Sequence, residues 1–515
     1  MSWIEAENDI EILRGKAALV QRENDRLHKR LAVLSALVDK LEGKDAETLQ
    51  TELKLLTEQL SAQRAREFGP SSERRTKSKD DAPSQPRTGH GPTEQPVLPF
   101  EEVVHPIGAQ DPCELCGGAV ELWAGQTEDS EEVTVVERKF VIIRHRRQKA
   151  RCKCGGCVRT APAPAKLIVG GRYSLAFAVA IAVQKYLYHL PLARQERWMA
   201  EQGLTATRQT LWDQIDALAS HLQPSYKALR LFVLAAPVVG ADETTWPMLA
   251  GKKKWWAWAV GRPDAIYYVI DASRSHEAAG RALANFGGTV MCDGYSAYRT
   301  LLKARKNAGA NVFVLAACWA HVRRKYVHCE ADYPEAATAI ELIGQLFIIE
   351  REVQSAEFAD DEARSAELLR RRQTDSVAVL DELKQWRTTQ RPLKKSSFGR
   401  ALQYMDGIWL RLKVFVNDPL VPLTNNLLER GMRGPAIGRR NHYGSKSLRG
   451  TGVAALFYSL VETCKLVGVS PTAYLSEAAG RAIAAPGAVL LPHEYALEMG
   501  IVAPIQSEPE LVSAA

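Results

Sequence analysis

The strongest constraint on the fold is a series of short apolar runs in the middle of the chain: APVVGAD, KWWAWAV, AIYYVID, GTVMCD and VFVLAAC. Runs this short and this rich in Val, Ile, Tyr and Trp read as buried strands. Helical spacing appears between them in HEAAGRALANF and YSAYRTLLKAR. The order is three strands, a helix, a strand, a helix and a strand, which is the ribonuclease-H-like order. The tryptophans of KKKWWAWAV alternate as strand residues should and read as core, not as base-stacking groups.

Two of these runs end in aspartate, Asp242 and Asp293, and a later polar helical segment, TNNLLERGMR, carries Glu429. Acids at two strand ends and on a helix can converge on one point. Such a cluster binds hard divalent cations, Mg²⁺ or Mn²⁺. Two ions per site can activate a nucleophile and stabilise the leaving oxygen of a phosphodiester. A lone Asp at a strand end is more often a cap or turn residue, and Asp271 and Glu243 are read that way.

At 515 residues the chain is too long for one ordinary domain. Residues 1–66 carry a heptad, with Ile10, Ala17, Asn24, Leu31 and Val38 at a, and Leu13, Val20, Leu27, Leu34 and Leu41 at d. This predicts a coiled-coil dimerisation segment, and the single Asn at a selects register. Residues 67–104, rich in Pro, Ser, Thr and charge, predict a disordered linker.

The nine cysteines are grouped, not spread as a disulfide framework. Cys113 and Cys116 form one knuckle, and Cys152, Cys154 and Cys157 crowd a second, with β-rich sequence between them. This predicts a zinc ribbon over 105–165 holding one structural Zn²⁺. Cys154 with Cys157 has the usual C-x-x-C spacing, and Cys152 is the rival ligand. Arg144, Arg146, Arg147, Lys149 and Arg151 form a basic run that can lie along phosphates or be a solvated edge.

Residues 170–228 predict three helices, the last two joined by a glycine turn at Gly203 in helix-turn-helix fashion. Arg208, Gln209 and Trp212 would open the recognition helix. The catalytic core is predicted over 233–475, with a charged helical insertion at about 330–415, and 476–515 as a C-terminal tail. The expected class is therefore a multidomain α+β protein: coiled coil, zinc ribbon, helix-turn-helix-like domain and ribonuclease-H-like core. Basic residues crowd the acids: His321, Arg323, Arg324 and Lys325 on one side, and Arg430, Arg433, Arg439, Arg440, His442, Lys446 and Arg449 on the other. They are candidate phosphate contacts.

Four segments, CDGYSAY, ACWAHVRRKY, NNLLERGMRGPAIGRRNHYGS and FYSLVETCKLVGVSPTAYL, follow in one order. In them the chain resembles the transposases of the insertion-sequence-66 family, which are DDE transposases. The resemblance implies that Asp242, Asp293 and Glu429 are the catalytic acids and that a cysteine-rich zinc segment precedes the core. It departs at Thr424, where many members have Asp before the paired asparagines.

The expected activity is cleavage at the ends of an insertion element and joining of the 3′-hydroxyl ends to target DNA. The alternatives are a metal-dependent nuclease or resolvase that does not join, and a domesticated DNA-binding regulator. The expected partners are double-stranded DNA (element ends and target), a second copy of the chain or a higher oligomer, and accessory proteins encoded by the same element. The net charge of +7 permits a polyanionic partner. No signal peptide or membrane-spanning run is read, so the expected location is the bacterial cytoplasm, at the nucleoid.

Overall fold

The structure is a computed structural model that describes residues 140–151, 158–160 and 164–501, with Lys29, Leu31–Val33, Lys54 and Thr57. Apart from those isolated positions, the coiled coil expected over 1–66 lies outside the described residues, as do the linker over 67–104 and all five candidate zinc ligands, Cys113, Cys116, Cys152, Cys154 and Cys157. The chain divides into two units, Met1–Glu73 with Ile142–Ala515, and Arg74–Val141.

The described part opens on two short strands, β1 (Lys149–Arg151) and β2 (Val158–Thr160), paired antiparallel with Arg151 opposite Val158. Three helices follow: α1 (Leu175–Tyr186), α2 (Leu192–Glu201) and α3 (Arg208–Leu234). Their starts are chemically marked. Ser174 Oγ accepts the Phe177 N–H and Thr207 Oγ1 accepts the Thr210 N–H, each at 3.2 Å. Both hydroxyls satisfy backbone donors that the first turn leaves open. The α2–α3 turn passes through Gly203 at φ 78°, a conformation that favours glycine.

The sheet comes next. Its strands are β3 (Val238–Met248), β4 (Lys253–Arg262), β5 (Ala265–Asp271), β6 (Thr289–Cys292) and β7 (Val314–Ala317). Helices α4 (His276–Leu283) and α5 (Ser296–Asn307) make the crossovers from β5 to β6 and from β6 to β7. The spatial order is β5-β4-β3-β6-β7; β3, β4 and β5 pair antiparallel, while β6 lies parallel to both β3 and β7. This is a mixed α+β fold around a five-stranded mixed sheet.

After β7 the chain turns helical: α6 (Trp319–Val327), α7 (Ala336–Ser355), α8 (Asp361–Arg371), a π-helical turn (Arg372–Ser376), α9 (Val377–Thr389) and α10 (Ser397–Leu412). These helices share an apolar core with β6 and β7 that includes Met291, Ala316, Trp319, Tyr326, Leu346, Leu383, Met405 and Phe415. Inside it, Arg372 pairs with Glu350 at 2.6 Å and donates to the Phe415 and Asp418 carbonyls at 3.0 and 2.8 Å. Each nitrogen of that buried guanidinium thereby has a local acceptor.

The last elements are α11 (Asn426–Gly431), α12 (Arg433–His442), α13 (Leu448–Leu466), α14 (Pro471–Ala484) and α15 (Pro492–Glu498). α13 is buried almost all round, as its apolar sequence demands. It also closes an edge of the sheet. Tyr268 N–H of β5 donates to Ser459 Oγ at 2.9 Å, and Thr463 Oγ1 accepts the Ile266 N–H at 3.1 Å. Side-chain hydroxyls on a helix thus occupy backbone groups that an edge strand would otherwise leave open. α14 runs through the boundary expected at 475, so the segment read as a tail contributes two packed helices.

Candidate active site

Sheet register brings the two aspartates together. The parallel pairing of β3 with β6 ends with Gly240 opposite Met291. Asp242 and Asp293 each lie two residues further on, so the acids emerge level with each other where β6 stops. Each is also held locally. Asp242 Oδ1 accepts the Glu243 N–H at 2.8 Å, and Asp293 Oδ1 accepts the Tyr295 N–H at 2.8 Å. Gly294, directly after Asp293, donates its N–H to Tyr404 Oη of α10 at 3.1 Å. The helical insertion therefore braces the loop that carries the second acid.

Glu429 reaches the same end of the sheet on the short helix α11. Asn425, at its start, donates its amide to the Ala241 carbonyl at 3.0 Å. The Asn425 N–H points to Cys318 Sγ at 3.3 Å, and Trp319 N–H donates to the Leu423 carbonyl at 2.9 Å. At the far end, Tyr268 Oη donates to the Gly431 carbonyl at 2.8 Å. Two glycines let the helix come this close. A Cβ on Gly240 would meet Asn425 Oδ1 at 2.5 Å and come closer still to Leu428, and one on Gly431 would meet Ile266 Cδ1 at 2.7 Å.

The electrostatics are those of crowded acids. Burial pushes Asp242 up to about 7, and the neighbouring carboxylates of Glu243, Asp293 and Glu429 add to the rise. Glu429 itself lies beside two basic side chains of α6, the Arg324 guanidinium at 3.4 Å from Oε2 and the His321 imidazole, with Nδ1 3.7 Å from Oε1. Burial lowers the His321 pKa, against the pull of Glu429. Glu429 Oε1 and His321 Nδ1 are both buried with no hydrogen-bond partner among the described residues. A buried aspartate pushed up beside other carboxylates, and a neighbouring glutamate oxygen left unsatisfied, fit a divalent cation.

The acids read as structural have local work. Glu243 is buried, pairs with Arg274 at 2.6 Å and accepts from Tyr298 Oη at 3.0 Å. Asp271 pairs with Arg281 at 2.6 Å. The candidate DNA contacts divide. Arg433, Arg440 and Lys446 are exposed near α12, whereas Arg439 is half-buried and donates to Thr244 and Thr245 of β3. Arg449 ties α13 to Asp216 of α3 at 2.5 Å. Arg208 is exposed but paired with Glu196 at 3.1 Å, and Gln209 donates to Asp213 at 2.7 Å. Arg323 and Arg324 are half-buried on α6.

Thr424, the departure from the family pattern, is buried and its hydroxyl lies 3.4 Å from the Asn426 N–H. It makes a short turn contact just before α11, whose cap residue is Asn425. The sequence reading did not single out Cys318 or Tyr404. The signal for Cys318 was available, because it directly follows β7 as Asp293 directly follows β6. Tyr404 had none, since its contact with Gly294 joins segments far apart in the chain.

Comparison with known proteins places these residues in a family context. Residues 170–452 match the family model described as Transposase IS66 family. Three uncharacterised proteins of Sinorhizobium fredii are similar over most of their length. The protein y4jD is 34% identical over 72% of this chain and 74% of its own. For y4qI the figures are 34%, 73% and 71%, and for y4hP 29%, 72% and 70%. Among the described residues no helix is long and apolar enough to cross a membrane.

Proposed function

This chain belongs to the IS66 transposase family, and from that premise we propose that it is a DDE transposase with a ribonuclease-H-like core. It would bind the ends of its element, cleave the terminal phosphodiesters and join the 3′-hydroxyl ends to target DNA. What supports the reading is that Asp242 and Asp293 lie level beyond the β3–β6 pairing and that Glu429, on a helix docked against β3, is near enough to help raise Asp242.

Those three carboxylates would hold Mg²⁺ or Mn²⁺, two ions per site. Bound there, such ions supply a more acidic nucleophile and a stabilised leaving oxygen. The chain's own groups do the rest. Burial, with the neighbouring carboxylates, pushes Asp242 up to about 7, so it is partly protonated near neutral pH and would lose that proton when a cation is held. Arg324 orients the Glu429 carboxylate from the side of Oε2. Arg433, Arg440 and Lys446 are free in position to neutralise phosphates along the exposed face beyond Glu429.

The flanking modules extend the proposal. β1 and β2 pair antiparallel, and the sequence between them carries Cys152, Cys154 and Cys157, two of which would join Cys113 and Cys116 in a zinc site. The exposed run Arg144–Arg147 lies just before it. Arg208 and Gln209 at the head of α3 suit a helix-turn-helix contact with element ends. The heptad of residues 1–66 would pair two copies, as bringing two element ends together requires. Accessory proteins of the same element and a bacterial cytoplasmic location complete the reading.

The test is a strand-transfer assay run beside a gel shift. Asp242→Asn, Asp293→Asn and Glu429→Gln should each abolish cleavage and joining while binding of element ends persists. Activity should need Mg²⁺ or Mn²⁺, with Ca²⁺ a poor substitute because its coordination is larger and looser. Substantial joining by any of the three variants would sink the assignment, and cleavage without joining by the parent protein would make it a nuclease.

A further inference from the structure

Beside the acids lies a second donor set of a different chemical kind. Cys318 ends β7 and opens α6, His321 is on the first turn of α6, and Glu429 is on α11. One ligand atom of each lies within 4.8 Å of the others. We propose that Cys318, His321 and Glu429 form a binding site for a borderline-soft divalent ion, Zn²⁺ or Co²⁺, distinct in chemistry from the carboxylate site with which it shares Glu429.

Three observations carry this. The first is the donor set itself. One sulfur, one imidazole and one carboxylate is a combination that hard Mg²⁺ does not select and that Zn²⁺ does, with a fourth position left for water. The second is the unsatisfied pair. His321 Nδ1 and Glu429 Oε1 face each other at 3.7 Å, too far for a hydrogen bond, and neither has another partner among the described residues. Two buried polar atoms left in that state are costly unless something binds between them. The third is the setting of the sulfur. Cys318 is 1% exposed, and the Asn425 N–H points at its sulfur at 3.3 Å from the start of α11. Burial pushes the free thiol up to about 11, and a divalent ion held by His321 and Glu429 would favour the thiolate instead.

The geometry needs little change. Zinc bonds of ~2.0–2.3 Å place tetrahedral ligands ~3.5 Å apart, so the donors would close by about an ångström. Arg324, on the other Glu429 oxygen, opposes a cation there and would have to swing outward. The functional consequence rests on the reading of Glu429 as a catalytic ligand. An ion drawn toward Cys318 and His321 takes Glu429 away from the hard-cation site, so Zn²⁺ would inhibit Mg²⁺-supported joining.

The experiment titrates Co²⁺ into the full-length protein and follows the thiolate-to-cobalt charge-transfer band, a readout that needs no catalysis. Its failure is thus separable from a failure of the transposase reading. The difference spectrum between the parent and Cys318→Ser should contain that band, because serine keeps an acceptor for the Asn425 N–H but removes the thiolate. The cysteines near 113–157 are the same in both proteins and cancel. His321→Asn should keep the sulfur and weaken Co²⁺ at this site at least about tenfold, the range that even an outer ligand partner commands. Circular dichroism checks that both variants fold. A parent without the Cys318-dependent band overturns the proposal, as does a His321→Asn protein that binds Co²⁺ as tightly as the parent.

Discussion

Gly240→Ala tests whether close helix-to-strand contact sets the position of Glu429. Gly240 sits in β3 two residues before Asp242, and α11 packs directly on it. An added Cβ would lie 2.5 Å from Asn425 Oδ1, against the ~3.4 Å of an ordinary contact, and closer still to the Leu428 side chain. Leu428 is a flexible apolar group and could turn aside at some cost. Asn425 is not free to do so, because its amide is bonded to the Ala241 carbonyl and its N–H to Cys318. The relief must therefore come from α11 moving away by about an ångström, and Glu429 moves with it. Overpacking of this kind costs ~1–3 kcal/mol of stability, which a protein of this size survives. A misplacement of that size at a reacting centre costs on the order of a hundredfold in rate. The expected result is a folded protein that binds element ends normally and joins them about a hundred times more slowly. The assay is strand transfer against gel shift, with a thermal melt as the folding control. Parent-level joining by Gly240→Ala would refute the argument, since it would mean that α11 does not need this contact to place its acid.

Other consequences can be read in stability and metal content. Asp242 has its pKa raised to about 7 in the fold, so the native state binds more protons than the unfolded chain between about pH 4 and 7, and stability falls as pH rises through that window. In buffer without divalent ions, Asp242→Asn should melt higher than the parent at pH 8, with the gap closing toward pH 4; parallel melting curves across that range would contradict the shift. Arg372→Met leaves Glu350 charged in the core and the Phe415 and Asp418 carbonyls without their donor, and should cost ~3–5 kcal/mol in denaturant unfolding; a loss below ~1 kcal/mol would mean that water reaches the pair. Cys116→Ser should lose one zinc per chain by elemental analysis and unfold the segment that holds it; an unchanged metal content would remove Cys116 from the ligands.

Much of the core was legible because local patterns survive folding. The five apolar runs are the five strands, and Ser174 and Thr207 start helices as their hydroxyls suggest. The charged stretch after β7 is helical. Residue roles were less legible where they depend on what lies opposite. Arg439 reads like Arg433 and Arg440 in sequence, yet it is folded back onto Thr244 and Thr245 while its neighbours face outward. Arg449 is an ion pair to α3, not a free cation. The end of α14 and all of α15 lie beyond the boundary expected at 475, and their short apolar faces are buried by packing on α1, α3 and α13.

By itself the sequence determined the type and order of the elements, the aspartates that follow two apolar runs and the family, because periodicity, capping and motif are properties of contiguous residues; it did not show that β3 runs on past Asp242 to Met248, so that only Asp293 stands at a strand end. Only the tertiary structure decided that Asp242 and Asp293 stand level, since that follows from the β3–β6 register. It alone decided that α11, which carries Glu429, docks beside Asp242, held by the Asn425 amide on the Ala241 carbonyl of β3, far away in the chain. It also set the charge state of the cluster. An aspartate that would ionise freely in water is pushed up to about 7 because folding removes the water and brings like charges beside it. Distance through space and loss of solvent are created by packing, and no stretch of sequence contains them.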